Sequence, residues 1–188
     1  MAVDREVIDA LERAGAFLEG HFQLASGLHS DRYLEKFNLL QWPPQTELVC
    51  RKMAAGLRHT RPGVVAGPTT GGVILSYEVA RQLGLRGVIA ESRPDGAGRS
   101  LQRGFRLKSG ERALVVDDVL TTGGSVRETI EAVRAAGGEP VGVAVLVDRS
   151  AGGVDFGLPF FAATEVEMES VAASDCRLCA QGVPLTRT

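Results

Sequence analysis

Two adjacent carboxylates, Asp117 and Asp118, follow a short apolar run, Ala113 to Val116, and precede a stretch rich in hydroxyls and glycine, Thr121, Thr122, Gly123, Gly124 and Ser125. The apolar run reads as a buried strand, and because an unpaired buried charge is unfavourable, the two acids belong at its exposed carboxyl end. A helical pattern begins after the glycines. A Gly-rich turn that opens a helix offers free backbone N–H groups and the positive end of a dipole, which suits a phosphate. Acids that accept from hydroxyls, set beside such a nest, point to a phosphorylated sugar. The same residues taken singly fit a helix N-cap, a local turn pair, or a Mg2+ site that borrows substrate phosphates and waters. The stretch is neither a Walker A loop nor a dinucleotide fingerprint, since it lacks the GxxxxGK and GxGxxG spacings.

The elements that must position these groups are legible in order. Apolar residues at three- and four-residue spacing predict a helix over 3–16, ended near Gly15. Residues 20–33 read as irregular or short strand with a turn at Ser26-Gly27, and a second helix is expected from Pro44 to about Thr60. Short apolar strands at 64–66, 87–90, 113–116 and 141–147, with an edge strand at 160–163, alternate with helices over 73–83 and 124–136. That rhythm predicts a doubly wound, mostly parallel α/β sheet with helices on both faces, and functional residues at the carboxyl ends of its strands. Residues 1–60 form an N-terminal hood within the same compact unit, 61–165 the core, and 166–188 a C-terminal extension.

Between two of those strands lies a basic excursion, Glu91 to Gly110, with Arg93, Arg99, Arg103, Arg106 and Lys108 opposed by Asp95 alone inside 92–109. It reads as a mobile lid over polyphosphate, or as a solvated hairpin with Phe105 and Leu107 packed inward. His21, His29 and His59 are too scattered to make a metal site. Cys176 and Cys179 form a single CxxC pair with no second pair and no histidine after residue 59 to complete four zinc ligands, so no metal ligands are expected; zinc shared across a dimer, and then a redox role, are the lesser readings. Tyr33 and Trp42 are read as packing the hood over the sheet, with stacking on a base as the alternative.

The 188 residues suffice for one well-buried domain, with 44% hydrophobic and 23% charged side chains and a formal charge of -2. The near-neutral balance gives no general argument for nucleic acid or an anionic membrane. No apolar run reaches transmembrane length and the first residues are acidic without a signal core, so a cytoplasmic location is expected. Three cysteines do not make a disulfide framework.

VVDDVLTTGGS at 115–125 resembles the phosphoribosyl-diphosphate-binding motif of the type I phosphoribosyltransferases: hydrophobic residues, two acids, then a short turn of Thr and Gly. FQLASGLHSDRY at 22–33, GPTTGGVILSYEVARQLG at 67–84 and VLVDRS at 145–150 narrow the resemblance to the orotate branch. With DCRLC at 175–179, it covers almost the whole chain. The resemblance implies a type I phosphoribosyltransferase fold and transfer of phosphoribosyl from phosphoribosyl diphosphate to orotate with Mg2+. Asp117 and Asp118 would accept from the ribose 3- and 2-hydroxyls. Val119 and Leu120 complete the motif, and Thr121, Thr122, Gly123, Gly124 and Ser125 would wrap the 5-phosphate. Thr121 and Arg149 match positions that contact orotate; the alternative for Arg149 is a surface residue paired with Asp148. Gly67 to Gly72 would be the pyrophosphate loop, presenting Thr69, Thr70 and the N–H groups of Gly71 and Gly72. Arg93, Arg99 and Arg103, on a mobile loop over 91–104, would close on the leaving diphosphate, and a homodimer would carry that loop into the neighbouring site.

The chain departs from the family pattern where Ala25 and Gly71 stand in place of lysines, and where the loop has no lysine before Lys108. A purine or uracil phosphoribosyltransferase shares the central motif but needs no arginine at 149. A ligand-sensing regulator of RNA or DNA with the same fold is the rival from another class.

Overall fold

The computed structural model describes residues 4–24 and 26–188. The expected start of the first helix at Val3 and the departure at Ala25 lie outside the described residues. In order, the elements are α1 (Arg5–Arg13), β1 (Phe17–Gln23), β2 (His29–Leu34), α2 (Lys36–Leu40), α3 (Pro43–Leu57), β3 (Val64–Pro68), α4 (Gly71–Leu83), β4 (Arg86–Ser92), β5 (Arg99–Leu101), β6 (Arg112–Leu120), α5 (Gly124–Ala135), β7 (Glu139–Asp148), β8 (Phe160–Glu165), α6 (Arg177–Ala180) and β9 (Thr186–Arg187).

Six strands among the described residues form the central sheet, in the order β5-β4-β3-β6-β7-β8. All its pairings are parallel except that of β4 with β5. Consecutive residues of a strand face opposite sides of a sheet, and both sides here are apolar. Val65, Leu114, Val116, Ala144 and Leu146 face α1, α3 and α4. Their neighbours Val64, Ala66, Ala113, Val115, Val143 and Val145 face α5 through Val126, Ile130 and Val133. Burial on both sides explains why these strands read as continuous aliphatic runs. Helix α3 belongs to the first of these cores, so the hood shares its interior with the sheet.

From β3 the chain winds one way to β4, and from β6 the other way to β7 and β8, so the winding reverses between β3 and β6. In open sheets a crevice forms at the carboxyl edge where the order reverses. The turns after β3 and β6 are the two Thr- and Gly-rich stretches.

Two stretches take the strand form that was one of the two readings for them, and one expectation changes. The stretch over 20–33 is an antiparallel hairpin, with Phe22 opposite Ser30 and Gln23 opposite His29. The excursion after β4 is a hairpin too, its return strand pairing Leu101 with Ala90, and Phe105 and Leu107 pack on the α5 side of the core. The histidines are not scattered in space: His21 and His29 lie on the paired strands β1 and β2, and the C-terminal segment brings Cys176 and Cys179 to them. Among the described residues no helix is long and apolar enough to cross a membrane.

Candidate active site

Strand β6 continues through both acids to Leu120, beyond the expected end at Val116. The last residues of this longer strand take different roles, and its alternation breaks after Asp118: Val119 packs toward the core of Leu114 and Val116, and Leu120 toward that of Ala113 and Val115. Asp117 is buried and Asp118 half-buried. Leu120 turns into the α5 side of the core, so its side chain is structural, while its carbonyl accepts the Arg149 N–H at 2.8 Å. Val119 lines the cleft described below.

Asp117 Oδ1 accepts the Asp118 N–H at 2.8 Å, and Oδ2 accepts the Ser125 hydroxyl at 2.5 Å. Ser125 stands in the first turn of α5, so its hydroxyl fixes Asp117 and leaves its N–H for an anion. Burial, and then the neighbouring Asp118 charge, push the Asp117 carboxyl up to about 6, although the Ser125 bond opposes the rise. Asp118 is also raised, by burial, with Lys36 pulling the other way. Its Oδ1 accepts the Val119 N–H at 2.6 Å, and its Oδ2 faces Gly71.

Thr121, Thr122 and Gly124 are exposed at the mouth of α5, whose N-cap is Gly123 with φ 80° and no side-chain cap. A side chain at 123 would be strained by that φ and would also meet Val154 at 2.9 Å. The N–H groups of the first turn of α5 are therefore open to a ligand. Helix α4 begins at the buried Gly71 and Gly72 after Thr69 and Thr70 and also lacks a side-chain cap, but its Val73 N–H donates to the Thr70 carbonyl at 3.1 Å. The Thr69–Thr70 peptide bond is cis. Two uncapped helix N-termini on neighbouring strands thus face one crevice, enough for an anion at each.

Arg99 belongs to this edge. One of its terminal nitrogens donates to Thr69 Oγ1 at 3.0 Å and to the Ala90 carbonyl at 3.2 Å, its Nε lies 3.3 Å from Glu128, and its charge acts on Asp117. Arg93 and Arg103 are held apart from it in exposed ion pairs, Arg93 with Asp95 at 2.7 Å and Arg103 with Glu91 at 2.8 Å. Asp95 was expected as an opposing charge. Glu91 and Glu128 were missed, since nothing local marks a residue 12 positions away as a partner.

Beside the acids opens a cleft of about 620 Å³, lined among others by Tyr33, Lys36, Asp118, Thr121, Arg149 and Met168. Arg149 follows β7, is half-buried, and its buried Nε has no hydrogen-bond partner among the described residues. Burial depresses its affinity for the proton, the direction expected of a cation without an anion beside it. The alternative pairing with Asp148 is not made; that carboxylate accepts the Ser150 N–H at 2.7 Å. Tyr33 reaches the cleft, whereas Trp42 is 53% exposed at the start of α3. Lys36 was missed; it is one of only three lysines in the chain, and that scarcity was the available signal.

The phosphoribosyl transferase domain family matches residues 38–156. An orotate phosphoribosyltransferase of Pelotomaculum thermopropionicum is 50% identical over 182 residues, covering 97% of this chain and 95% of that protein. One of Heliobacterium modesticaldum is 49% identical over 181 residues, covering 95% and 94%. Among solved structures, orotate phosphoribosyltransferase from Aeropyrum pernix superposes with a TM-score of 0.68 at 28% identity, over 85% of this chain and 93% of that one.

Proposed function

Because the chain belongs to the phosphoribosyl transferase domain family, and within it to the orotate phosphoribosyltransferases, we infer that it moves the phosphoribosyl group of 5-phospho-α-D-ribose 1-diphosphate to N1 of orotate. The products are orotidine 5'-phosphate and diphosphate, a step of pyrimidine nucleotide synthesis. The observation that carries the choice of base is Arg149, a half-buried guanidinium with an unpartnered Nε on the cleft that also holds Thr121 and Asp118. A planar fork of N–H donors suits the carboxylate and carbonyl edge of orotate, and a base without a carboxylate would leave that cation unpaired.

Breaking the bond at the anomeric carbon develops oxocarbenium character in the ribose. The chain therefore needs no nucleophile; it must hold sugar, base and leaving group in line and stabilise the departing charge. Asp117 and Asp118 accept from the ribose hydroxyls, the N-terminus of α5 holds the 5-phosphate, and that of α4, with Thr69 and Thr70, receives the diphosphate. Arg99 steadies Thr69 and adds positive charge at that end. Arg93 and Arg103 exchange Asp95 and Glu91 for diphosphate oxygens when the 91–104 hairpin closes, and exposed ion pairs are weak enough to permit the exchange.

The donors fit Mg2+, a hard cation that keeps water and phosphate ligands and takes one or two carboxylates from the protein. Asp118, with Oδ2 outside its backbone bond, would hold it, and the ion would supply charge neutralisation for the diphosphate. The working unit is a homodimer. Supporting this are Tyr77, 71% exposed, and Ile74, which lie three residues apart on the outer face of α4 next to the Gly71 turn.

The reaction is tested by incubating the protein with phosphoribosyl diphosphate, Mg2+ and orotate while following loss of orotate absorbance and release of diphosphate. Equal release of diphosphate and loss of orotate supports the reading; no loss of orotate under conditions that consume another base overturns it.

A further inference from the structure

Far from the acids in sequence, four side chains converge on one point. His21, His29, Cys176 and Cys179 each offer a ligand atom, and these atoms lie within 4.8 Å of one another. His21 Nε2 is 3.0 Å from His29 Nδ1, 3.4 Å from Cys176 Sγ and 3.6 Å from Cys179 Sγ, and Cys179 Sγ is 3.3 Å from His29 Nδ1. Zn–N bonds of ~2.0 Å and Zn–S bonds of ~2.3 Å at tetrahedral angles place nitrogens ~3.3 Å apart and nitrogen and sulfur ~3.5 Å apart. These four distances agree with the edges of that tetrahedron to within a few tenths of an ångström.

The hydrogen bonding points the same way. His21 Nδ1 lies 2.9 Å from the Val183 carbonyl, an acceptor only, so the proton sits on Nδ1 and Nε2 presents its lone pair to the centre of the cluster. A carbonyl that fixes the outer nitrogen of a ligating imidazole is the usual outer partner of a zinc histidine. Three groups cannot all donate to that one lone pair, whereas a cation at the centre satisfies all four ligands together.

We propose that His21, His29, Cys176 and Cys179 bind one structural Zn2+, closing the C-terminal extension onto the hood hairpin. Two sulfurs and two imidazole nitrogens in tetrahedral array select zinc among divalent ions. Binding releases the two thiol protons to solvent, and two thiolates with two neutral imidazoles make the site neutral. All four positions are filled by protein, so the ion has no open place for catalysis. The fold presents the ligands from both sides. His21 lies where the β1–β2 register shifts, between Glu19 and Phe22, and its ring meets that of His29 edge-on at 5.0 Å between centroids, so both imidazoles reach one side of the hairpin. The CxxC turn is pressed onto that face by the bridge between His29 and Val171 and by an ion pair of Arg177 with Asp31 at 2.9 Å. The segments so tied contribute Leu24, Ser26 and Leu28, and Met168 and Ser170, to the walls of the base cleft.

The test uses the full chain, reduced and stripped of metal with a chelator, then titrated with Co2+ followed by Zn2+. The expected result is about one Co2+ per chain, with thiolate-to-cobalt charge-transfer absorption and intense tetrahedral d–d bands, bleached by an equivalent of Zn2+. Cys176→Ser and His29→Ala should each weaken Co2+ binding at least ~100-fold, more than loss of an outer partner does. Where those variants fail to fold, the unaltered protein decides. Protein from zinc-supplemented culture should retain about one zinc per chain after gel filtration. Less than a tenth of that, with no thiolate–cobalt band on titration, overturns the site.

Discussion

Gly71 lies directly against Asp118: a Cβ built on Gly71 would overlap the Asp118 carboxylate at Oδ2. The first residue of α4 and the second acid of β6 therefore compete for one space at the sheet's reversal point. This relationship gives a physical reason for glycine where the family pattern often has lysine, because any side chain at 71 must displace the acid or be displaced by it.

Gly71→Ala separates stability from activity. Alanine favours a helix interior by about 1 kcal/mol, but at the first position of α4 its Cβ must push the half-buried Asp118 carboxylate aside, so the thermal midpoint should hold or fall slightly. Displacement of Asp118 should meanwhile lower kcat/KM for phosphoribosyl diphosphate by at least ~10-fold, about 1.4 kcal/mol of lost transition-state contact. Equal activity in the two proteins would show that the Asp118 position is not critical.

Arg149→Ala should raise KM for orotate far more than KM for phosphoribosyl diphosphate. One charged hydrogen bond corresponds to about 1.5–3 kcal/mol, hence ~10- to ~150-fold. Arg149→Met should be at least as stable as the parent, since it removes a half-buried cation whose Nε has no partner among the described residues. Initial-rate kinetics and thermal unfolding check both halves, and parallel losses for the two substrates would remove the arginine from base recognition.

Asp117 sets a pH dependence with a definite sign. Its carboxyl in the folded protein, at about 6, lies above the ordinary 3.8, so between these values the native state holds a proton that the unfolded chain has lost. Its contribution to stability is therefore fullest at low pH and declines as pH rises through that window. Activity runs the opposite way, because only the carboxylate accepts from both ribose hydroxyl and Ser125; kcat/KM should fall as pH drops through about 6. Ser125→Ala removes a bond that favours the ionised form, and should move the acid limb of the profile to higher pH. An unmoved limb would assign it to another group.

Arg99→Ala should lower kcat by about 100-fold, the effect of losing one well-placed electrostatic donor, through both the freed Thr69 and the missing charge. Tyr77→Asp, on the exposed face of α4, should convert dimer to monomer by light scattering. Persistence of the dimer would place the interface elsewhere.

What could be read from sequence divides along the line between local and non-local determinants. The core strands and helices, the acids and the two Gly-rich turns were legible because burial on both faces makes aliphatic runs and because phosphate-binding turns need their glycines in a short window. The β1–β2 hairpin was obscured because β2 does not alternate: His29 and Ser30 are both buried and Asp31 and Arg32 both exposed. Strand β5 was legible only as one of two readings, because its glycines and arginines fit a lid as well as a hairpin. Arg149 was placed by resemblance, but its unpartnered Nε depends on where Asp148 turns. Of the histidine–cysteine cluster only the CxxC pair Cys176 and Cys179 left a local trace; nothing local joined it to His21 and His29. The cluster exists because β1 and β2 pair in one register and the chain returns past them at its far end.

The central claim is the identity of the base, and competition in one vessel tests it most directly. With phosphoribosyl diphosphate and Mg2+, the protein is offered orotate, uracil, hypoxanthine and xanthine together, and the nucleotide products are resolved by chromatography. Orotidine 5'-phosphate should dominate the others by at least ~100-fold, the discrimination expected when a buried polar partner is left unpaired by the wrong base. Formation of any other nucleotide at a comparable or greater rate would contradict the account.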